Sequence, residues 1–155
     1  MAELKEIFNK IDQIGVVVKD LEKAKAGMKE LFGVEPDVAD VFNYKDRVYR
    51  GEKGDCSVDV LLYDFLGLQL EFMTPRSGES AWQDFINEGK EGLHHIRFDV
   101  ADHEAAIQAM AEKGIKVYQA GDSVRGGGVK YAYFDTVPSL GFIIETLNLR
   151  EVAKK

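Results

Sequence analysis

Four side chains that can bind a metal ion or move a proton occupy matched positions in a sequence repeat. Gln13 and His95 hold the same place in two similar segments that lie 82 positions apart. Each copy later ends in an apolar strand that carries one glutamate, Glu71 in the first copy and Glu145 in the second. One amide oxygen, one imidazole nitrogen and two carboxylates would suit a six-coordinate divalent ion that keeps one or two waters.

The matched positions favour a metal site over four unrelated residues. A lone histidine is more often a hydrogen-bonded core residue, and a lone glutamate is more often a charge on an edge strand. Two glutamates centred in apolar strands are costly to bury without a partner, and a divalent ion would balance their two charges. We therefore expect Gln13, Glu71, His95 and Glu145 to bind the metal. Gln13 is the weakest member, and the alternative is a hydrogen-bonding role in a three-ligand site.

Two further histidines are not expected ligands. His94 falls on the opposite strand face from His95, because side chains alternate along a strand. His103 falls in the first turn of a predicted helix.

Arg97 follows His95 by two residues and shares its strand face, about 6.5 Å further along. A buried guanidinium must find an anion, since an isolated buried charge is expensive. One interpretation pairs Arg97 with Asp99 or another carboxylate of the cavity wall. The other makes it a substrate-binding residue that grips a carboxylate or phosphate.

Other motifs carry weaker signals. The run Gly126-Gly127-Gly128 follows Arg125 but lacks the helix and lysine of a phosphate loop, so it predicts a lid or turn over the cavity mouth. Tyr131 and Tyr133 share one strand face and either line the cavity or pack against helices. Cys56 has no basic neighbour in sequence, and we expect it to be inert.

Both halves of the chain have the pattern βαβββ. A first helix is predicted from the cap Asp20 to Gly33, with an apolar face of Leu21, Ala24, Met28, Leu31 and Phe32, and its counterpart runs from Asp102 to Gly114. A connecting helix begins at Ser80 and ends at Gly89. The predicted strands are 11–18, 41–50, 57–63 and 68–73 in the first half, and 93–100, 116–120, 130–134 and 141–147 in the second.

Two βαβββ units cannot each bury both sheet faces alone. They are expected to pair into one curved eight-stranded sheet of the α+β class, whose concave face encloses the metal cavity. The first and last strands of each unit should then lie side by side.

Composition excludes several classes of function. The chain has 155 residues and a net charge of -7, which repels phosphate backbones and anionic lipid, so neither nucleic acid nor a membrane is an expected partner. Cys56 is the single cysteine, which rules out an intrachain disulfide. The first residues lack the features of a signal peptide, and a cytoplasmic protein is expected.

These residues resemble the vicinal oxygen chelate superfamily, which includes glyoxalase I, methylmalonyl-CoA epimerase and extradiol dioxygenases. The stretch Gly92–Ile96 is similar to the double-histidine stretch of the epimerases, in which the second histidine binds metal. The residues Phe134-Asp135-Thr136, Leu140-Gly141 and Glu145 resemble the closing hairpin with its final ligand. The combination of Gln, Glu, His and Glu resembles the metal set of one type of glyoxalase I, whereas many family members have histidine at the position of Gln13.

The resemblance implies a fold, a cofactor and a reaction. It implies one domain over 1–155, made of a repeat at 9–75, a connecting helix at 79–90 and a repeat at 91–150. It implies one divalent metal ion (Zn, Ni, Co, Mn or Fe), a small anionic substrate and a homodimer. The enzyme would be a lyase, isomerase or epimerase that stabilises an enediolate or enolate, with Glu145 or Glu71 as the base.

Two alternatives stay open. One is a non-catalytic small-molecule binding protein on the same fold. The other is a non-haem iron dioxygenase, which requires two histidines and one carboxylate, and Gln13 in place of the first histidine argues against it.

Overall fold

The computed structural model describes residues 3–155 as eight strands and six helices. The strands are β1 Ile11–Val17, β2 Val38–Tyr49, β3 Glu52–Phe65, β4 Leu68–Ser77, β5 Gly92–Asp99, β6 Val117–Asp122, β7 Lys130–Phe134 and β8 Ile143–Leu147. The helices are α1 Leu4–Ile7, α2 Leu21–Phe32, α3 Ala81–Asn87, α4 His103–Glu112, α5 Val137–Leu140 and α6 Leu149–Val152.

The eight strands close into one barrel in the order β1-β4-β3-β2-β6-β7-β8-β5. The first and last strands of each half lie side by side as predicted, and both pairs, β1 with β4 and β5 with β8, are parallel. The halves join through the antiparallel pairs β1–β5 and β2–β6. The predicted α+β architecture is confirmed, and these two seams close the expected curved sheet because they leave neither half with a free edge.

The predicted N-terminal caps and the stop at Gly33 are confirmed, whereas α3 and α4 have Glu88 and Lys113 as C-caps, one residue before the predicted Gly89 and Gly114. The Asp20 side chain accepts a hydrogen bond from Lys23 N, and α2 ends at Gly33 with a left-handed φ of 69°. The side chains of Asp102 and Ser80 accept equivalent bonds at the start of α4 and α3. Each oxygen satisfies a backbone N–H group that the first helical turn leaves without a partner.

The helices cover apolar faces of the barrel. Met28 of α2 packs with Leu61 and Tyr63, and Met110 of α4 packs in the same way on the other half with Ala132 and Phe134. The predicted apolar face of α2 is wrong at its end, where Leu31 is 75% and Phe32 is 55% exposed. The cause is that α2 contacts the sheet mainly through Met28, its one buried residue.

Several element boundaries differ from prediction because they depend on tight turns. β3 begins at Glu52 rather than 57, since Arg50 and Gly51 have φ of 49° and 82° and form a two-residue hairpin turn. β8 begins at Ile143, after Gly141 ends the unpredicted helix α5. α1, α5 and α6 have four residues each, too few to produce a helical period in the sequence.

None of the helices within residues 3–155 combines the length and apolarity needed to span a lipid bilayer.

Candidate metal centre

The four predicted ligand positions meet on the inner wall of the barrel. Gln13 lies on β1, Glu71 on β4, His95 on β5 and Glu145 on β8, which are four consecutive strands of the barrel. Between β1 and β5, Gly15 pairs with His95 and Gln13 pairs with Arg97. All four side chains are buried, and His95 is 0% exposed.

The cluster converges on one nitrogen atom. His95 Nε2 lies 3.2 Å from Glu71 Oε2 and 3.2 Å from Glu145 Oε2. The side-chain amide of Gln13 lies 3.1 Å from the same nitrogen. The structure therefore brings together all four residues that the repeat predicts.

His94 determines which nitrogen of His95 carries the proton. His94 Nε2 lies 3.3 Å from the carbonyl oxygen of Ala81, which can only accept, so this nitrogen is protonated. Burial, and then the neighbouring His95, hold the pKa of His94 well below its usual value, so its Nδ1 is a bare acceptor. The contact of 2.9 Å between the two Nδ1 atoms then requires His95 Nδ1 to donate. In neutral His95 the lone pair is consequently on Nε2.

That lone pair faces two carboxylate oxygens. An ionised carboxylate is an acceptor only, so with both glutamates ionised and His95 neutral no hydrogen lies between Nε2 and either Oε2 atom. A proton on His95 or on a glutamate, or a metal cation among these atoms, would relieve the repulsion between buried lone pairs that face one another. The centre of the cluster can therefore accept either a proton or a metal cation.

The Gln13 amide links the cluster to Arg97. Its nitrogen can face Glu71 Oε2 at 3.2 Å and His95 Nε2 at 3.1 Å while its oxygen accepts from Arg97 Nη1 at 3.0 Å, provided that the Gln69 amide, 2.6 Å away, also turns its nitrogen towards that oxygen. Turning the oxygen towards His95 would cost the bond from Arg97. The bond from Arg97 favours the hydrogen-bonding role of Gln13, because a metal ligand would need the amide oxygen on the side of His95.

Arg97 pairs with the carboxylate of Asp12, so it has a carboxylate partner as one interpretation predicted, but that partner is not Asp99. Arg97 Nε and Nη2 lie 2.9 and 3.3 Å from the two oxygens of Asp12. The register of β1 against β5 shifts between Ile11 and Gln13, which brings Asp12 alongside Arg97. Asp99 instead pairs with Arg150 at 3.5 Å.

Gly15 provides the space for the His95 ring. A Cβ atom on Gly15 would overlap Cε1, Nε2 and Nδ1 of His95. The ring therefore lies directly on the backbone of the neighbouring strand. Tyr133 also packs on this ring, with ring centroids 5.1 Å apart, and Trp82 Nε1 donates to the Tyr133 hydroxyl at 2.9 Å.

The cluster opens into a cavity of about 390 Å³. Its wall includes both tyrosines of β7, Tyr131 and Tyr133, so the cavity-lining alternative for this pair is confirmed. Burial raises the pKa of Glu145 to about 7, against the lowering effects of His95 and Arg97. Apolar side chains complete the wall: Val38, Phe42, Leu62, Met73 and Leu147.

The remaining predicted features have these positions. His94 lies outside this cavity, in a groove beside α3, and contacts Phe85 edge to face at 5.2 Å between centroids. His103 begins α4 and its Nε2 lies 3.0 Å from the Thr146 hydroxyl. Cys56 is buried, and burial raises the pKa of its thiol. Its low reactivity is thus consistent with its surroundings.

The chemistry of the donor set fits a divalent ion. Two ligands about 2.1 Å from one metal and at a right angle lie about 3 Å apart, close to the 3.1–3.2 Å separations around His95 Nε2. Within residues 3–155, no three His, Cys, Asp or Glu side chains are already arranged to coordinate an ion. The oxygens converge on the nitrogen itself, so the glutamates would have to turn towards a point in front of it.

Sequence reasoning missed the roles of Asp12, His94 and Gly15. Asp12 and His94 each directly precede a predicted ligand in the sequence. That position could have indicated that they contact a ligand or a neighbour of a ligand. Gly15 interrupts a run of branched residues at the position matched to Arg97, and a glycine within a strand often marks a close approach.

The sequence matches a known family over most of its length. Residues 12–133 match the Glyoxalase/Bleomycin resistance protein/Dioxygenase superfamily. Mitochondrial methylmalonyl-CoA epimerase of Bos taurus is 23% identical over 139 residues, which cover 89% of this chain and 73% of that protein.

Solved structures show the same fold. Methylmalonyl-CoA epimerase from Mycobacterium tuberculosis superposes with a TM-score of 0.64 at 15% identity, covering 91% of this chain and 88% of that one. A single-residue variant of the Streptomyces coelicolor epimerase, in complex with 2-nitronate-propionyl-CoA, superposes with a TM-score of 0.62 at 21% identity, covering 89% of this chain and 92% of that one.

Replacing Gly15 tests the close approach of His95 directly. Gly15→Ala should lower the free energy of unfolding by about 1–3 kcal/mol, because the new methyl group overpacks against the imidazole. The matched control is Gly27→Ala within α2, where an added Cβ meets nothing within 4 Å. That change should leave stability equal or raise it by up to about 1 kcal/mol. Urea denaturation measures both, and equal stability of Gly15→Ala and the parent would contradict the described ring position.

Proposed function

This chain belongs to the glyoxalase/bleomycin resistance protein/dioxygenase superfamily, and on that premise we propose that it is a divalent-metal-dependent enzyme that moves a proton on a carbon next to a carbonyl. The observation that carries the proposal is the convergence of Glu71, Glu145 and the Gln13 amide on His95 Nε2 at the wall of a cavity. A metal ion bound at this cluster would supply a Lewis acid, and the two carboxylates beside it would supply bases, for such proton transfer.

His95, Glu71 and Glu145 are the proposed metal ligands, and Gln13 is the proposed fourth, which requires its amide oxygen to leave Arg97 Nη1 and turn towards the ion. Their two carboxylate charges balance a divalent ion, which makes the buried site tolerable. When bound, the ion would act as a Lewis acid that stabilises negative charge developing on a carbonyl oxygen of the substrate. The ligand set has one histidine, whereas iron oxygenases of the facial-triad type use two, so proton transfer is favoured over oxygenation.

The two glutamates are the proposed proton carriers. Both contact His95 through Oε2 and both line the cavity. No hydrogen bond within residues 3–155 involves the Oε1 atom of either, so each has an oxygen available to a substrate. We propose that Glu145 removes the proton and that Glu71, at the matched position of the other repeat, can return it from another side. Return to a different face gives epimerisation, and return to a different atom gives isomerisation.

The apolar wall and Tyr133 have supporting roles in this proposal. Tyr133 packs on the imidazole and fixes its plane, while Phe42, Leu62 and Met73 keep water from the reacting carbon.

Arg97 stays a predicted substrate-binding residue, but a substrate would have to compete with Asp12 for its guanidinium. The proposed substrates are small acids with a neighbouring carbonyl, of which coenzyme A thioesters such as methylmalonyl-CoA are the first to test because the structural relatives are named for them. A homodimer also stays a prediction.

Metal content tests the ligand assignment. Protein purified without chelator or affinity metal should contain one divalent ion per chain, and His95→Ala and Glu145→Ala should each lose it while the fold persists. His103→Gln is the control, because His103 is a buried histidine outside the cluster. Gln13→Ala separates three ligands from four by retaining or losing the ion. Elemental analysis is the measurement, and full metal content in both His95→Ala and Glu145→Ala would overturn the assignment.

His94 should act as a positioning residue for this metal. His94→Phe keeps an aromatic ring against Phe85 but removes the acceptor for His95 Nδ1. The lost second-layer bond should weaken metal affinity by about 10- to 100-fold. Phe85→Leu, which changes the packing of His94 and leaves both nitrogens, should have little effect. Competition titration against a metal-binding dye measures the affinities, and identical affinities for His94→Phe and Phe85→Leu would exclude the positioning role.

Exchange of the acidic proton tests the reaction. The metal-containing protein should exchange the α-proton of methylmalonyl-CoA, or of a 2-oxo or 2-hydroxy acid, with solvent deuterium. Glu145→Gln keeps an oxygen but loses the base, so exchange should fall by about 100- to 10,000-fold while substrate affinity changes little. Glu71→Gln tests the second carrier in the same way. Nuclear magnetic resonance follows the exchange; binding without exchange in the parent protein would support a non-catalytic binder instead.

A further inference from the structure

The loop between β6 and β7 forms part of the mouth of the cavity. Ser123, Val124 and Arg125 line the cavity from this loop, together with the glutamates of the cluster. Backbone bonds hold the loop as a compact turn, from Ser123 N to Val129 O at 2.9 Å and from Val129 N to Gly126 O at 3.1 Å. Arg125 N also donates to the Ser123 hydroxyl at 3.2 Å.

The cavity wall has two arginines, and only one of them is already paired. Arg97 is occupied by Asp12 on two nitrogens and by the Gln13 amide on the third. Arg125 is exposed and makes no ion pair within 4 Å among residues 3–155. Its guanidinium is therefore the cation at this cavity that is free to bind an incoming anion.

The charges at the cavity favour binding of an anionic substrate by this cation. Glu71 and Glu145 line the same wall, and two carboxylates would repel a third. A divalent ion would balance these two charges, and Asp12 balances Arg97. The positive charge of Arg125 then remains as the net attraction for an anion at the mouth, where a guanidinium fork can hold a carboxylate or a phosphate through two hydrogen bonds.

The three glycines that follow allow this arginine to move. Gly126, Gly127 and Gly128 all have positive φ, of 68°, 63° and 83°, and a Cβ on any of them would meet nothing within 4 Å. These positions therefore favour glycine because of their positive φ, and not because a side chain would clash with a neighbour. A turn with so little packing can adjust the position of Arg125 over a ligand at low cost.

We propose that Arg125 forms an anion-binding subsite at the cavity mouth, which holds a carboxylate or phosphate of the substrate while the reacting carbon lies at the cluster. The proposal rests on the proposed function in that it takes this cavity as the substrate site. Binding of the anion itself requires no turnover, so an experiment can contradict the subsite without contradicting the proposed reaction, and the reverse.

Calorimetric titration with two simple probes tests the subsite. Methylmalonate carries carboxylates without phosphate, and coenzyme A carries phosphates without that acid, so the two arms distinguish the sources of the anion. Arg125→Ala should weaken binding of at least one probe by about 10- to 100-fold, as expected for a lost charge-assisted hydrogen bond. Arg125→Lys should bind with intermediate affinity, because the ammonium keeps the charge but lacks the fork.

Lys130→Ala is the matched control. It removes one positive charge from the same hairpin, but Lys130 pairs with Asp122 and does not line the cavity. Its affinity for both probes should stay within about twofold of the parent, since exposed charges outside the site contribute little. Equal affinities in Arg125→Ala and Lys130→Ala, or no binding of either probe by the parent protein, would overturn the subsite. Arginine-dependent binding without proton exchange would keep the subsite and contradict the proposed reaction.

Discussion

The imidazole of His95 is the constraint on which the rest of this site depends. Its ring lies on the backbone at Gly15, its Nδ1 donates to His94 and its Nε2 faces Glu71 and Glu145. None of these contacts is local in sequence except the one to His94. They exist because four strands of the barrel hold their residues in fixed register, and an isolated strand could not position the ring.

The two halves of the barrel are similar in backbone and different in chemistry. The antiparallel pairing of β1 and β5 matches Gln13 with Arg97 and Gly15 with His95, so the two pairs are related by the repeat. In one pair a glycine accommodates an imidazole, and in the other an arginine orients an amide. As a result the cluster has one imidazole and one amide at the two matched positions, and not two imidazoles.

Sequence patterns predicted the fold and the four cluster positions well, because both depend on alternation and on the repeat. Asp20, Ser80 and Asp102 were recognisable as caps, since the capping bond is local. The partner of Arg97 was not predictable, because it depends on a register shift in β1 that alternation does not reveal. Likewise the exposure of Leu31 and Phe32 depends on how much of α2 the sheet covers, which a helical period cannot specify.

The central claim is that a divalent ion binds His95 through Nε2 while His94 accepts the hydrogen bond from the Nδ1–H group of His95. The most direct test follows the nitrogen-15 resonances of the histidine rings while the metal-free protein is titrated with Zn²⁺. We predict that the Nε2 resonance of His95 shifts with metal, that its Nδ1–H signal persists, and that His94 remains neutral. A metal-induced shift at His95 Nδ1, or on the ring nitrogens of His94 in place of His95 Nε2, would contradict this assignment.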